Sequence, residues 1–447
     1  MPTEPAAEID EHAGGRNAPL VLRLEQVLHP DPTRVALRPF TPAENGPGGD
    51  TSARSRVQRI VERVLSLNEE GLGQELQRVI GVLAQRHGDI EPLLLRRFRD
   101  LGEEAVRGRE IGHDQQLAIG SYFVEEYSFE SSALFNPSVV PHPNQSGLPA
   151  GSVRLVISLR GVGEGHLSTI SFRTGQFTAA GVLRLDECAR WPTTPLVESI
   201  PGGAPDDPGA RLHFSVHEDL SQLVIFPVTL PQRGGLEDLR MVRFTEDDGH
   251  STYLGTYTAF SRQGIRQEVL RTRDFATFEL SALRGKMSET KGMALFPRRI
   301  SGRYAMLGRH DHENIWLLFS NDLYSWATGE IIVKPRWPWE FVQLGNCGSP
   351  IEIDEGWLVL THGVGSVRTY CLGACLLDKR DPSKVIARSI EPLLRPDLAA
   401  RDGYVPNVAY TCGAMVLGRT LLLPYGVADT FTAFATVSVD ALLQSMQ

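Results

Sequence analysis

The sequence predicts a mainly β protein, a five-bladed β-propeller with an α-helical N-terminal extension. Apolar residues recur at helical spacing early in the chain; after residue 130 that period vanishes, and short β-rich runs bounded by Gly, Pro, Asn and Asp take over. Five of these runs share one pattern, a strand ending in small or polar residues: VRLVISLRGV (153–162), STYLGTYTAF (251–260), GRYAMLGRH (302–310), GWLVLTHGV (356–364) and RTLLLPYGVAD (419–429). The last four are spaced roughly 50 to 65 residues apart, and radial repetition of such units closes a ring without long exposed edges.

At 447 residues the chain exceeds one ordinary core, and three segments are expected. Residues 1–50 are rich in Pro, Gly and acidic residues and read as a flexible or surface-draped arm. Residues 51–118 read as a helical extension. Val57, Ile60, Val61 and Val64 fall on one helical face, Leu72, Leu76, Val79, Ile80 and Leu83 on a second, and Leu94, Leu95, Phe98 and Leu101 mark a third. Residues 119–447 form the expected propeller, with ARLHFSVHEDLSQLVIFPVTLP (210–231) read as a strand pair inserted between the first two repeats.

Bulk composition narrows the functional classes. A net charge of −9 argues against a nucleic-acid partner, whose phosphates require a basic footprint. No apolar run approaches the roughly 18 to 20 residues that cross a bilayer, and the acidic N-terminus lacks the basic and apolar regions of a signal peptide, so a cytoplasmic location is expected. Cys188, Cys347, Cys371, Cys375 and Cys412 lack zinc-site spacing and read as reduced, buried thiols. No metal and no cofactor is expected. The N-terminal helices offer either a cap for the β part or a homo-oligomer interface.

In a propeller, polar residues at the ends of inner strands converge on one funnel. The recurring pattern places Arg160, Arg309, His362 and Asp429 at matching points, and Asp238 and Arg240 in GGLEDLRMVRF stand at the entry to the second repeat. Five further segments join LEDLR (236–240): FNPSVVPHP (135–143), KGMALFPRRISGRYAMLGRHDHENIWLLFSNDLYSW (291–326), GNCGSPIEIDEGWLVLTHGV (345–364), YCLGACLLDKRDPSKVIARS (370–389) and YGVADT (425–430). Together they resemble glycoside hydrolase family 130, five-bladed propellers that act on β-mannosides as phosphorylases or inverting hydrolases. The resemblance runs from about residue 120 to the end of the chain and leaves the helical part uncovered.

The resemblance implies that Asp238 is the catalytic acid, protonating the glycosidic oxygen through the O3 hydroxyl of the mannose in the −1 subsite; Leu239 replaces the family's proline. It implies that Asn136, Arg160 and Asp429 hold sugar and that Tyr370 lies near the anion site. Glu237 is read as shaping the acid's surroundings or gripping sugar, and Arg240 as a further sugar contact. The family's phosphate ligands fall on Lys291, Arg309, Gln343 and His362, so a lysine replaces one arginine and a neutral glutamine replaces the lysine. Losing one cation and weakening another disfavours a dedicated phosphate site. The first expectation is therefore an inverting, exo-acting β-mannosidase on β-linked, and by preference β-1,2-linked, manno-oligosaccharides. The alternative is a phosphorylase that binds phosphate, as co-substrate, on Lys291, Arg309 and His362. Inverting hydrolysis needs a second carboxylate to activate water; Glu340 is the favoured base, with Asp311 and Glu313 behind it. Trp337, Trp339, Tyr404 and Tyr425 are read as sugar platforms, and Trp316 and Trp326 as core.

Overall fold

The computed structural model describes residues 20–43, 55–204, 207–215, 219–397 and 403–447. The chain is mainly β, with helices grouped near the N-terminus. Most of the β part consists of five antiparallel units. The first is Ala133–Pro141, Ser152–Val162, Ser168–Thr178 and Leu183–Leu185; the second is Gly235–Thr245, Ser251–Ser261, Gly264–Thr272 and Thr277–Ala282. The third is Ala294–Leu295, Tyr304–Gly308, Ile315–Ser320 and Gly329–Val333; the fourth is Gln343–Asn346, Gly356–Val364, Tyr370–Leu377 and Val385–Arg388. The fifth joins Ala409–Tyr410, Thr420–Val427 and Phe431–Ser438 to Val21–Leu28. Each recurring run is thus the second strand of a unit.

Those second strands are apolar on both faces because each unit packs against two neighbours. Leu421 and Leu423 join Leu358 and Leu360 of the fourth unit in one cluster, while Leu422 faces Leu155 and Ile157 of the first. Met306 packs with Phe244 of the second unit, and Ala305 and Leu307 pack with Trp357 and Val359 of the fourth. Side chains alternate across a strand, so a run such as GWLVLTHGV lies in two cores at once. Backbone bonds also pass from unit to unit. The Thr245 amide donates to the Pro297 carbonyl (2.9 Å), Leu344 to Glu313 (3.0 Å), Tyr370 to Asn407 (2.9 Å) and, from the first unit back to the fifth, Leu134 to Thr430 (2.8 Å).

The first strands of the units meet around one guanidinium. Arg240, 2% exposed, donates from Nη1 to the carbonyls of Gly292 (2.6 Å) and Asn346 (3.1 Å) and from Nη2 to the Tyr410 hydroxyl (2.5 Å). It therefore ties the second unit to the third, fourth and fifth. This corrects its expected role as a sugar contact: the charge is buried and its Nη groups are spent on the fold.

The helical segment opens at Arg56–Leu65, whose N-cap Ser55 and Gln58 form a capping box, and continues through Glu69–Leu83, capped by Asn68, and Glu91–Asp100. Val61, Val64, Leu76 and Leu94 form its core. His113–Ser121 is a helix that the pattern does not reveal, because Leu117, Ala118, Ile119 and Gly120 are all buried and leave no amphipathic period. Gly120 admits the Leu94 carbonyl, which would stand 2.1 Å from a Cβ there. The C-terminal helix Val439–Ser445 is likewise unanticipated. Among the described residues no helix is long and apolar enough to cross a membrane.

Two expectations change. Residues 1–19 and 44–50 of the expected arm lie outside the described residues, but Val21–Leu28 pairs with Phe431–Ser438, and Val35–Pro39 pairs with Val124–Ser128 beside the helices. An arm poor in apolar residues on average still contains two strands, one that extends the fifth unit and one that forms a two-stranded sheet with Val124–Ser128. The inserted strand pair begins earlier than expected: Leu196–Ala204 and Asp207–His213 extend the second unit, whereas Val224–Ile225 joins the first.

Arg240→Lys keeps the charge but loses the fork that reaches three partners at once. The expected outcome is a loss of about 2 kcal/mol in denaturant unfolding; an unchanged midpoint would show that the guanidinium bonds contribute nothing net.

Candidate active site

Asp238 sits in the strand Gly235–Thr245 at a break in register between Glu237 and Arg240, with φ of 57°. Asn136 occupies the same kind of break in the first unit, between Phe135 and Ser138, with φ of 49°. A left-handed backbone at non-glycine residues costs of order 1–3 kcal/mol each, and here it turns both side chains out of the pleat toward one another. Asn136 Nδ2 donates to Asp238 Oδ1 at 2.7 Å, and Arg160 Nη1 reaches the same oxygen at 3.2 Å. Both contacts fall on Oδ1 rather than Oδ2.

Glu237 spans two cations: Oε1 accepts from Arg160 Nη2 (2.8 Å) and Oε2 from Lys291 Nζ (2.6 Å). Burial would raise the Asp238 carboxyl, but Arg160, the Asn136 bond, Lys291 and Arg240 outweigh it and hold it below its ordinary value. Asp429, also left-handed at φ 50°, behaves oppositely: burial and the charge of Asp238 push it up to about 6, against Arg160 and Arg368. The site therefore holds one carboxylate that is readily ionised and a second that keeps its proton into the mildly acidic range.

Next to this cluster lies a cationic corner. Gly292, with φ of 89°, is pressed against Arg309, whose Nε would be 2.9 Å from a Cβ at that position, so the neighbouring Lys291 and Arg309 stand on one wall. Arg309 Nε is buried without a hydrogen-bond partner. His362 Nε2 accepts from Arg309 Nη1 (3.3 Å) and from Gln343 Nε2 (3.2 Å), which places its proton on Nδ1. Burial first, then Arg309 and Arg240, drives its pKa well below 6.5. His362 is thus a neutral support that orients Arg309 and Gln343, and the positive charge of this corner is carried by Lys291 and Arg309 rather than by the imidazole. Its imidazole fits only because residue 345 is glycine; a Cβ would lie 2.4 Å from His362 Cε1. Tyr370 stacks on the same ring at 6.1 Å between centroids.

The structure therefore assembles Asn136, Arg160, Glu237, Asp238, Lys291, Arg309, Gln343, His362, Tyr370 and Asp429, and separates others from them. Glu340 is 1% exposed; Oε1 accepts from Arg388 (2.8 Å) and Oε2 from the amides of Arg336 (2.7 Å) and Trp337 (3.2 Å). The expected water-activating base is thus a capping carboxylate with no free oxygen. Asp311 closes a turn through the amides of Glu313 and Asn314, and Glu313 is exposed beside it. Trp339 and Tyr425 are buried and serve packing, as does Trp326; Tyr404 remains exposed. Cys188 is exposed, unlike the other four thiols. Among the described residues no group of three His, Cys, Asp or Glu side chains could hold a metal ion. Sequence reasoning missed Asn346 and Tyr410, the anchors of Arg240, because an amide and a phenol in short strands carry no motif.

Comparison with known proteins points the same way. The family model Glyco_hydro_130, described as beta-1,4-mannooligosaccharide phosphorylase, matches residues 213–447. The chain is 36% identical over 242 residues to a 1,2-β-oligomannan phosphorylase of Thermoanaerobacter sp. (strain X514), covering 52% of this chain and 79% of that protein. It is 31% identical over 245 residues to a β-1,2-mannobiose phosphorylase of Listeria innocua serovar 6a, covering 53% and 66%. The solved structure of a β-1,2-mannobiose phosphorylase from Listeria innocua with β-1,2-mannobiose shares the fold, with a TM-score of 0.51 and 22% identity over 71% of this chain and 92% of that one.

Asp429 links the site to stability. A carboxyl whose folded value lies above its unfolded one favours the folded state while protonated, and that contribution is lost as pH rises through about 6. Asp429→Asn is expected to stabilise the protein by about 1–3 kcal/mol above pH 7 and by almost nothing at pH 4. Thermal melts across that range check it; a pH-independent difference would contradict the assignment.

Proposed function

The chain belongs to glycoside hydrolase family 130, and we propose that it is a β-mannoside phosphorylase acting on β-linked, most simply β-1,2-linked, manno-oligosaccharides. In this reading Asn136, Arg160 and Asp429 grip the terminal mannose. Phosphate rests on Lys291 and Arg309 and attacks C1, while Asp238 gives its proton, relayed by the sugar's O3 hydroxyl, to the departing glycosidic oxygen. The bond to the leaving sugar breaks as the bond to phosphate forms with inversion, yielding mannose 1-phosphate and a shortened oligosaccharide. Its cationic neighbours favour the ionised form of Asp238, so the arriving phosphate must raise its affinity for a proton by drawing on the same cations.

The observation that carries the reading is the cationic corner itself: Lys291 and Arg309, the latter with a buried, unpartnered Nε, stand beside the acid. Hydrolysis, the first expectation, needs a carboxylate with a free oxygen across from Asp238. Glu237 has both oxygens on cations, Glu340 is spent elsewhere, and Asp429 is assigned in this reading to the sugar. The phosphorylase names of both relatives support the same choice. We read the five units as blades of a propeller, with residues 119–447 as the catalytic domain and 51–118 as its extension; the bonds that run from unit to unit and back to the first support this. A cytoplasmic setting suits five unpaired cysteines. Exposed Leu67 and Val82 on the helical segment support a homo-oligomer, a proposal that a monomeric mass in light scattering would sink.

Incubation with β-1,2-mannobiose is expected to release mannose 1-phosphate only when phosphate is present. Equal release of free mannose with and without phosphate would reject phosphorolysis and restore hydrolysis. Asp238→Asn is expected to lower turnover by about 10²–10⁴-fold while mannobiose binding persists; full activity in that variant would remove Asp238 as the acid.

A further inference from the structure

Two hairpin tips in the β part have the same sequence form and the same backbone. GVGEGHL (161–167) links the second and third strands of the first unit, and GVGSVRT (363–369) does so in the fourth. Gly163 and Gly365 adopt φ/ψ of −114/−155° and −105/−157°; two residues on, Gly165 and Val367 adopt 66/16° and 56/27°. His166 and Arg368 then follow at φ 59° and 50°. Each tip closes with the same pair of bonds, Gly163 amide to Leu167 carbonyl and Leu167 amide to Glu164 carbonyl in one, Gly365 to Thr369 and Thr369 to Ser366 in the other. A valine in the left-handed region is an outlier for a β-branched side chain, and Val367 is 84% exposed, so no packing accounts for it.

The two tips stand on either side of the Asp429 turn, because the fifth unit is bonded to the fourth through Tyr370 and Asn407 and to the first through Leu134 and Thr430. His166 meets Tyr404 edge to face at 5.4 Å, with the tyrosine hydroxyl against its ring nitrogens. Tyr404 is in turn fixed to the Asp429 turn: its amide donates to Thr430 Oγ1 (2.9 Å), and the Val405 amide donates to the Ala428 carbonyl (3.1 Å). On the other side Arg368 contacts the Tyr370 hydroxyl and lies in the field of Asp429. Equivalent positions on two tips thus present a nitrogen-bearing side chain beside a tyrosine, with an exposed ring and an exposed valine next to them.

We propose that these two tips, through His166 with Tyr404 and Arg368 with Tyr370, form the rim that recognises the leaving sugar, the part of the oligosaccharide beyond the mannose held by Asn136, Arg160 and Asp429. The ligand class is a neutral polyhydroxylated acceptor. Guanidinium, imidazole and phenol supply donors and acceptors for hydroxyls, while the Tyr404 ring and Val367 supply apolar surface for a pyranose face. Arg368 already lies in the field of the Asp429 carboxyl, so the rim does not call for an anionic substrate. This inference rests on the mannoside reading of the site, but not on phosphorolysis as opposed to hydrolysis.

The test is calorimetric binding of mannose, β-1,2-mannobiose and β-1,2-mannotriose to the full chain carrying Asp238→Asn, alone and with Arg368→Ala or His166→Ala added. The chain with Asp238→Asn alone is expected to bind mannobiose about tenfold more tightly than mannose, and each rim variant to cut that gain to about threefold or less. Affinity for inorganic phosphate should stay within about twofold. Both rim positions are at the surface, so folding is not at risk, and circular dichroism of each variant verifies it. A gain from mannose to mannobiose that survives both substitutions overturns the rim while leaving the mannoside site standing. A selective loss of phosphate affinity in Arg368→Ala also overturns it, by assigning that residue to the anion corner. Absence of mannoside binding in every protein rejects the proposed function and the rim with it.

Discussion

The position of the Asp238 carboxylate depends on a buried guanidinium. Arg240 lies two residues beyond Asp238 on the same strand, and its bonds to Gly292, Asn346 and Tyr410 hold that strand against three other units. A register break separates the two residues, so the strand stays anchored on one side of it while the carboxylate turns outward on the other. A buried, fully charged group is costly unless its donors are engaged. Here the engagement of the Nη groups doubles as geometry, because Gly292, whose carbonyl accepts from Nη1, adjoins Lys291 of the cationic corner.

The same arrangement explains how so many charges share a small volume. Glu237 sits between Arg160 and Lys291 and fixes the position of both cations. His362 stays neutral and spends its lone pair on Arg309 and Gln343 rather than adding charge. The backbone supplies the remaining order: Asn136, Asp238 and Asp429 all adopt left-handed conformations at the ends or breaks of strands. Such residues are costly locally and are carried by the apolar cores between units, which are far larger than the strain they offset.

Much of this was legible in the sequence, and the failures share a physical cause. The second strands stood out because burial on both faces makes them continuous apolar runs, and their polar ends led directly to Arg160, Arg309, His362 and Asp429. Residue type alone does not report which partner a charge has. Glu340 and Arg240 looked like site groups and are buried ties, since each meets its partners only after distant segments pack. His113–Ser121 escaped because a helix buried all round has no face to detect. The paired tips were visible as GVGEGH and GVGSVR, but their meaning depends on Tyr404 and Tyr370, which only the fold brings beside them.

The strand Val21–Leu28 has a consequence for how the protein is made. Val21 pairs with Val437 and Leu28 with Thr432, so this strand leaves the ribosome long before its partner, some four hundred residues further along, has been made. At about 5–20 residues per second, that wait lasts on the order of tens of seconds. During it the helices and the first four units can form in order, while an extended strand stays unpaired. Arg23 and Glu25, set between its apolar residues, are the kind of charges that discourage such a strand from pairing with another chain. The fifth unit is therefore assembled from segments far apart in the chain, and its completion must follow synthesis of Phe431–Ser438.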